Sequence, residues 1–245
     1  MTSPSIENFP APSPTFDVVP LAELMKVERP WSRGYAHHRF DGPAPGRLEF
    51  SALRLFAFES IDAGGGYDVH PHHNVEVLTL MLQGTGVHLD SLGAEVELGE
   101  ETLATMSAGR GIHHAEHARD DTAVRLLQIW LEPRTRDTEP RSDHATFPRT
   151  ERKNRFTILA SGRACSPARL VIGQDAALYS AMVDRGATVS FDVEPGRLAY
   201  AISTHGTIEA CGRRVQAGER ILVRSAGRLE LRAKDATEIV LLDLP

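Results

Sequence analysis

GGGYDVHPHH at residues 64–73 and MSAGRGIHHAE at residues 106–116 decide how this chain reads. In the first stretch His70 and His72 stand two residues apart. In an extended strand such residues project from the same face, so both imidazoles can enter one interior. Pro71 has no backbone N–H and fits only where the ladder needs none. In the second stretch His114 and Glu116 repeat the spacing. On neighbouring strands the two pairs would supply three neutral imidazoles and one carboxylate. That donor set suits a divalent metal such as Fe, Ni, Cu, Mn or Zn, and four protein ligands would leave two octahedral positions open. Either pair alone is weak evidence, because a lone His-x-His is more often two surface or hydrogen-bonded histidines. The repetition carries the argument. Strand alternation turns the neighbours His73 and His113 away. His88 and His117 have no partner at a useful spacing and are expected on polar surface or in loops.

The histidines are unevenly placed. Seven of the 11 lie between residues 70 and 117, and only His205 lies beyond Glu151. Around the two motifs the texture is that of many short strands: runs rich in Val, Leu, Ile and Phe, separated by Gly, Asp and Asn. Such runs are Phe50 to Phe58, Val75 to Leu82, Gly86 to Leu89, Ala94 to Leu98, Thr102 to Met106 and Val124 to Leu131. Turn signals fall between them, and the spacing fits a small antiparallel barrel or jelly roll. A second series runs from Ala168 to Leu242. Helical periodicity is scarce, with at most a turn over Leu21 to Val27. These textures divide the chain into an N-terminal arm (1–45), a metal-binding barrel (46–135), a polar, Pro-containing linker (136–155) and a second barrel without metal (156–245).

Composition bounds the rest. The chain has 245 residues, 41% hydrophobic and 24% charged, an ordinary globular balance that needs no staples. A net charge of -6 argues against a nucleic-acid surface. Cys165 and Cys211 are read as ordinary thiols. The first residues have neither a basic region nor an apolar one, and no run approaches a membrane span. The expected location is therefore the cytoplasm.

The same residues carry a family resemblance. Gly64-x5-His70-x-His72-x3-Glu76 looks like the first cupin motif, and MSAGRGIHHAE and HLDSLG (88–93) resemble pirin signatures, as does the terminal EIVLLDLP. The resemblance to the pirin family implies an all-β double cupin, two stacked antiparallel barrels or jelly rolls with few short helices. It implies one divalent metal, Fe(II) first, with Ni, Cu, Mn, Co or Zn as alternatives, held by His70, His72, His114 and Glu116. It further implies a dioxygenase that opens a flavonol such as quercetin with dioxygen. Glu116 is then the candidate base, and Glu76 the other carboxylate expected near the site, more as an orienting partner for an imidazole than as a catalyst. Two other readings compete: a metal-dependent regulatory protein with a partner surface, for which Arg110, Arg119 and Arg125 are candidates, and another cupin enzyme with a different small substrate. Departures from the family pattern are Val75 for an aromatic, Gln83 for Glu, Leu98-Gly99-Glu100-Glu101 for Pro-Gly-Asp, and the stretch at 31–50, which can border the pocket.

Overall fold

Val124–Leu131 shows how this sequence builds its architecture. Its even members Leu126, Gln128 and Trp130 and its odd members Leu127, Ile129 and Leu131 face opposite ways, and almost all are buried. A strand apolar on both faces must be covered on both faces. Thr237–Leu244 is the same, with all eight residues buried. Each of these strands lies at the centre of one sheet, and the two sheets pack against each other.

The computed structural model describes residues 12–38 and 49–245. The first half contributes β1 (Phe16–Val19), β2 (Met25–Arg29), β3 (Ser32–His38), β4 (Leu53–Ile61), β5 (Gly66–His72), β6 (Glu76–Gln83), β7 (Gly86–Asp90), β8 (Glu95–Leu98), β9 (Thr102–Ser107), β10 (Ile112–Ala118), β11 (Val124–Leu131) and β12 (Arg141–Thr146). The second contributes β13 (Thr157–Ser161), β14 (Leu170–Val171), β15 (Ala177–Val183), β16 (Thr188–Val193), β17 (Leu198–Ser203), β18 (Ile208–Ala210), β19 (Arg213–Val215), β20 (Arg220–Val223), β21 (Gly227–Ala233) and β22 (Thr237–Leu244). Two 3-10 turns, Leu21–Glu23 and Arg149–Arg152, are the only helical pieces among the described residues.

Each half closes a seven-stranded sheet over a four-stranded one. The first pairs β12-β9-β6-β11-β4-β3-β2 with β5-β10-β7-β8; the second pairs β1-β20-β17-β22-β15-β13-β14 with β16-β21-β18-β19. The orders correspond strand for strand. This is the double antiparallel barrel expected from the sequence.

The two large sheets meet face to face. Phe56, Leu78, Leu80, Leu127 and Ile129 of the first interlock with Leu178, Tyr200, Leu222, Val240 and Leu242 of the second. Full burial of each such side chain is worth about 1.5–3 kcal/mol. Inside the second barrel Val189, Ala201, Leu229, Leu231, Ile239 and Leu241 make a separate apolar core. Inside the first, apolar residues form only smaller groups around Met81 and Leu126, around Met106 and Ile112, and around Ala36 and Ala57. The remaining interior is polar.

Three expectations need correction. The expected arm is sheet where it is described: β2 and β3 extend the first large sheet, and β1 crosses to pair with β20 of the second barrel. The helical turn expected over Leu21 to Val27 stops at Glu23, because Met25 onward pairs with β3. The linker is likewise structural, since β12 pairs with β9 along Arg141–Thr146. Polar outward side chains hid these edge strands. Residues 1–11 and 39–48, including much of the stretch at 31–50, lie outside the described residues.

Candidate metal centre

The four-stranded sheet of the first barrel brings the two histidine motifs together. β5 and β10 pair antiparallel with His114 opposite His70 and Ile112 opposite His72. A bulge then sets in between His114 and Glu116, so that Glu116 stands opposite Tyr67. The turn that feeds β10 depends on glycine. Gly109 has φ +46, and a Cβ there would meet the Thr138 carbonyl at 2.1 Å. Only glycine tolerates both conditions.

His70, His72 and His114 each offer a ring nitrogen, and these atoms all lie within 4.8 Å of one another. The ring centroids are 4.4 Å apart for His70 and His114, and 4.9 Å for each of the other two pairs. His70 Nδ1 donates to the Asp68 carbonyl at 2.8 Å. A carbonyl only accepts, so that nitrogen carries the proton and Nε2 is left bare toward the cluster. His72 rests edge-on against Trp130, with centroids 5.0 Å apart. Burial, reinforced by His114 and His70, pushes the His72 imidazole down to about 4. Burial also pushes His114 down to about 3, with His70 and His88 adding to the effect. Both rings are therefore neutral at pH 7, the form that binds a metal.

Glu116 is held from behind. Thr79 Oγ1 donates to its Oε1 at 3.0 Å, and Gln128 Nε2 donates to its Oε2 at 2.7 Å. The Gln128 amide orientation is set in turn, because Trp130 Nε1, which can only donate, reaches its Oε1 at 3.2 Å. Glu116 does not join the close trio of the other three expected residues. Its carboxylate groups instead with His114 and His88, again within 4.8 Å.

His88 corrects the sequence reading. It is buried at 6% exposure rather than on polar surface, and its ring centroid lies 5.4 Å from that of His114. The i, i+2 search missed it because its strand, β7, contributes one interior histidine rather than a pair. The other signal was the Asp two residues on. Asp90 accepts from Ser142 at 2.6 Å and faces His88 Nε2 at 3.3 Å. Burial pushes the Asp90 carboxyl up, but donors from Ser142, Ala94, His88 and Leu92 outweigh it and hold it below the usual carboxylate range.

His73 and His117 lie outside the cluster, His73 facing Asp137 at 3.4 Å and His117 facing Asp68 at 3.8 Å; His113 is exposed. Glu76 is the second correction. On β6 its odd neighbours Val77 and Thr79 line the site, while Glu76 faces the other barrel. It accepts from Ser107 at 2.6 Å and from the Gly173 backbone N–H at 2.7 Å. It orients no imidazole. The arginines do not form an unopposed basic face either. Arg110 pairs with Glu139, Arg119 with Glu97 and Asp121, and Arg125 lies over the Phe58 ring. Cys165 and Cys211 are free thiols.

Beside Glu116 opens a cavity of about 240 Å³, bordered by Val77, Val96, Met106, His88, Ser142 and His144. His70 and His72 are only half-buried, so the trio is also open to the barrel mouth. The residues fit a metal ion. Both ring nitrogens of His114 are buried without a hydrogen-bond partner, and leaving such atoms unsatisfied costs about 1–3 kcal/mol each. An ion would satisfy one of them.

Residues 36–131 match the family model described as Pirin, and residues 158–244 the model described as quercetinase C-terminal cupin domain. A Pseudomonas aeruginosa protein named "putative quercetin 2,3-dioxygenase" is 32% identical over 226 residues, 92% of this chain and 97% of that protein. The chain belongs to the pirin family. Among other pirin relatives, the quercetin 2,3-dioxygenase of Escherichia coli K12 is 28% identical over 82% of this chain and 86% of its own length. A bacterial pirin of Escherichia coli, solved in complex with nickel(II), superposes with a TM-score of 0.84 at 25% identity, covering 94% of this chain and 99% of that one. Among the described residues no helix is long and apolar enough to cross a membrane.

Proposed function

We propose that this pirin is a metal-dependent dioxygenase that opens a flavonol such as quercetin, with His70, His72, His114 and Glu116 as the metal ligands. The observation that carries the reading is the convergence of three imidazoles on one point beside a fixed, buried carboxylate. Iron(II) is the first choice of ion, and nickel is supported by the bound ion of the Escherichia coli relative. A bound divalent ion would supply charge stabilisation and a template for aligning substrate and dioxygen.

The protein's own part follows from the geometry. Asp68 and Trp130 fix the His70 and His72 rings, so the ligand nitrogens are aimed before any ion arrives. Thr79 and Gln128 hold Glu116, which serves as ligand or as acceptor of the flavonol hydroxyl proton. Val77, Val96 and Met106 supply apolar walls beside it. The cytoplasm is the proposed location, and the second barrel is proposed to hold no metal.

The cavity volume supports a second reading. At about 240 Å³ it falls below the usual range of about 300–1,000 Å³ for ligand pockets, which suits a substrate smaller than a flavonol.

Oxygen consumption with quercetin tests the proposal, after reconstitution with Fe(II), Ni(II), Cu(II), Mn(II) or Co(II). Metal-dependent uptake with loss of the flavonol absorbance, absent in His114→Ala, is the expected result. Stoichiometric metal binding without uptake on any ion would remove the flavonol and favour the smaller substrate.

A further inference from the structure

His88 has no part in the ligand set proposed above, yet it has the features of a ligand. Its ring is buried, and its Nδ1 has no hydrogen-bond partner. Its Nε2 lies 3.3 Å from Asp90 Oδ2. Asp90 is itself fixed by the Ser142 hydroxyl at 2.6 Å and by the backbone N–H groups of Leu92 and Ala94 at 2.8 and 3.1 Å. A carboxylate saturated with donors in this way accepts from His88 as well, which places the imidazole proton on Nε2 and leaves Nδ1 as a bare lone pair. Carboxylate–imidazole pairs of this kind orient metal-bound histidines. The Nδ1 atom has no protein donor to accept from, and neither ring nitrogen of His114 has a partner.

We infer that the barrel holds a second, deeper metal seat formed by His88, His114 and Glu116. The ligand atoms of these three already lie within 4.8 Å of one another, and all three residues are buried. Two imidazoles and one carboxylate with open positions form a donor set suited to Fe(II) and its divalent neighbours. The seat shares His114 and Glu116 with the ligand set proposed above, so one ion occupies one position or the other. In the outer position it faces the barrel mouth through half-buried His70 and His72. In the inner position it faces the cavity bordered by Val77, Met106 and Ser142.

The inference rests on the metal-binding reading of the barrel, and Co(II) titration separates the two. Calorimetry and the Co(II) d–d absorption are recorded for the unaltered chain, for H70A/H72A and for H70A/H72A/H88Q, with circular dichroism as the check on folding. The double variant is expected to keep one equivalent of Co(II), weakened by no more than about a hundredfold, and the triple variant to lose it. A double variant that is folded and binds no Co(II), while the unaltered chain binds one equivalent, would overturn the inner seat and leave the proposed function standing. Retention in the triple variant would overturn it too. An unaltered chain that binds no Co(II) removes both readings. If the double variant does not fold, H70A and H72A taken singly, each with and without H88Q, give the same contrast: Co(II) kept in the single variant and lost on adding H88Q supports the seat, and no difference overturns it.

Discussion

The two barrels share one strand order and differ in what fills them. In the second, β16 and β21 turn Val189, Val193, Leu229 and Leu231 inward, and Ile239 and Leu241 of β22 close the core. In the first, the corresponding strands β5 and β10 turn His70, His72, His114 and Glu116 inward, and the place of Ile239 and Leu241 is taken by Gln128 and Trp130 of β11. One interior is a packed core and the other a set of donor atoms. A barrel can forgo its apolar filling when its outer face is buried against a well-packed partner. The interface between the large sheets buries the outer face of both barrels.

Exchanging one interior residue in each barrel should give the largest contrast. His114→Ala is expected to abolish metal binding, read as the loss of one equivalent in a Co(II) titration, with the dichroism spectrum kept. Leu231→Ala should leave metal binding intact and cost about 2–5 kcal/mol in denaturant unfolding, through the cavity it creates. Metal loss in the second variant would break the division of labour.

Acid is the next lever. In the metal-free folded chain His72 is held at about 4 and His114 at about 3, against about 6.5 for a free imidazole. The unfolded chain therefore takes up protons first as pH falls. These groups leave stability intact above about pH 6.5 and drain it as pH drops toward their folded values. The thermal midpoint of the metal-free protein should fall between pH 7 and pH 4, and His114→Leu should flatten that fall. The second barrel has one imidazole, His205, also lowered by burial. A slope unchanged by His114→Leu would place the acid sensitivity elsewhere.

Smaller effects should follow from the residues behind the ligands. Thr79→Val or Gln128→Ala should weaken metal binding by about 10–100-fold without abolishing it. Glu76→Gln should leave the metal titration unchanged and cost about 1–3 kcal/mol of unfolding free energy, by disturbing buried hydrogen bonds to Ser107 and Gly173. A loss of metal affinity in Glu76→Gln would return that residue to the site.

Much of this was legible in the sequence, for identifiable reasons. β6, β9 and β11 fall where their apolar runs predict, because central strands buried on two faces leave a continuous signal. Edge strands β1, β2 and β12 do not, since their solvent-facing residues resemble those of a linker. The His-x-His and His-x-Glu spacing singled out four residues that the first barrel brings close together, because strand periodicity is local. It could not locate His88, Thr79, Gln128 or Trp130, whose nearness to the site arises from pairing between strands distant in sequence. Glu76 was misplaced by the converse error: a motif gives spacing along the chain, while the parity of β6 decides which barrel face a side chain meets.

The crossing of β1 has a consequence for how the chain assembles. Phe16 pairs with Val223, and Thr15 N–H reaches Ser225 Oγ from 210 residues away. In the first barrel the equivalent edge position beside β9 is filled by β12, which follows it closely in sequence. The second barrel instead borrows its edge strand from the opposite end of the chain. During synthesis that place cannot form until Arg220–Val223 has left the ribosome, so the earliest part of this segment to be made is among the last to dock. Closure over so long a separation is slow, and pulling Phe16–Val19 away would expose the edge of β20 and loosen the second barrel from its far end.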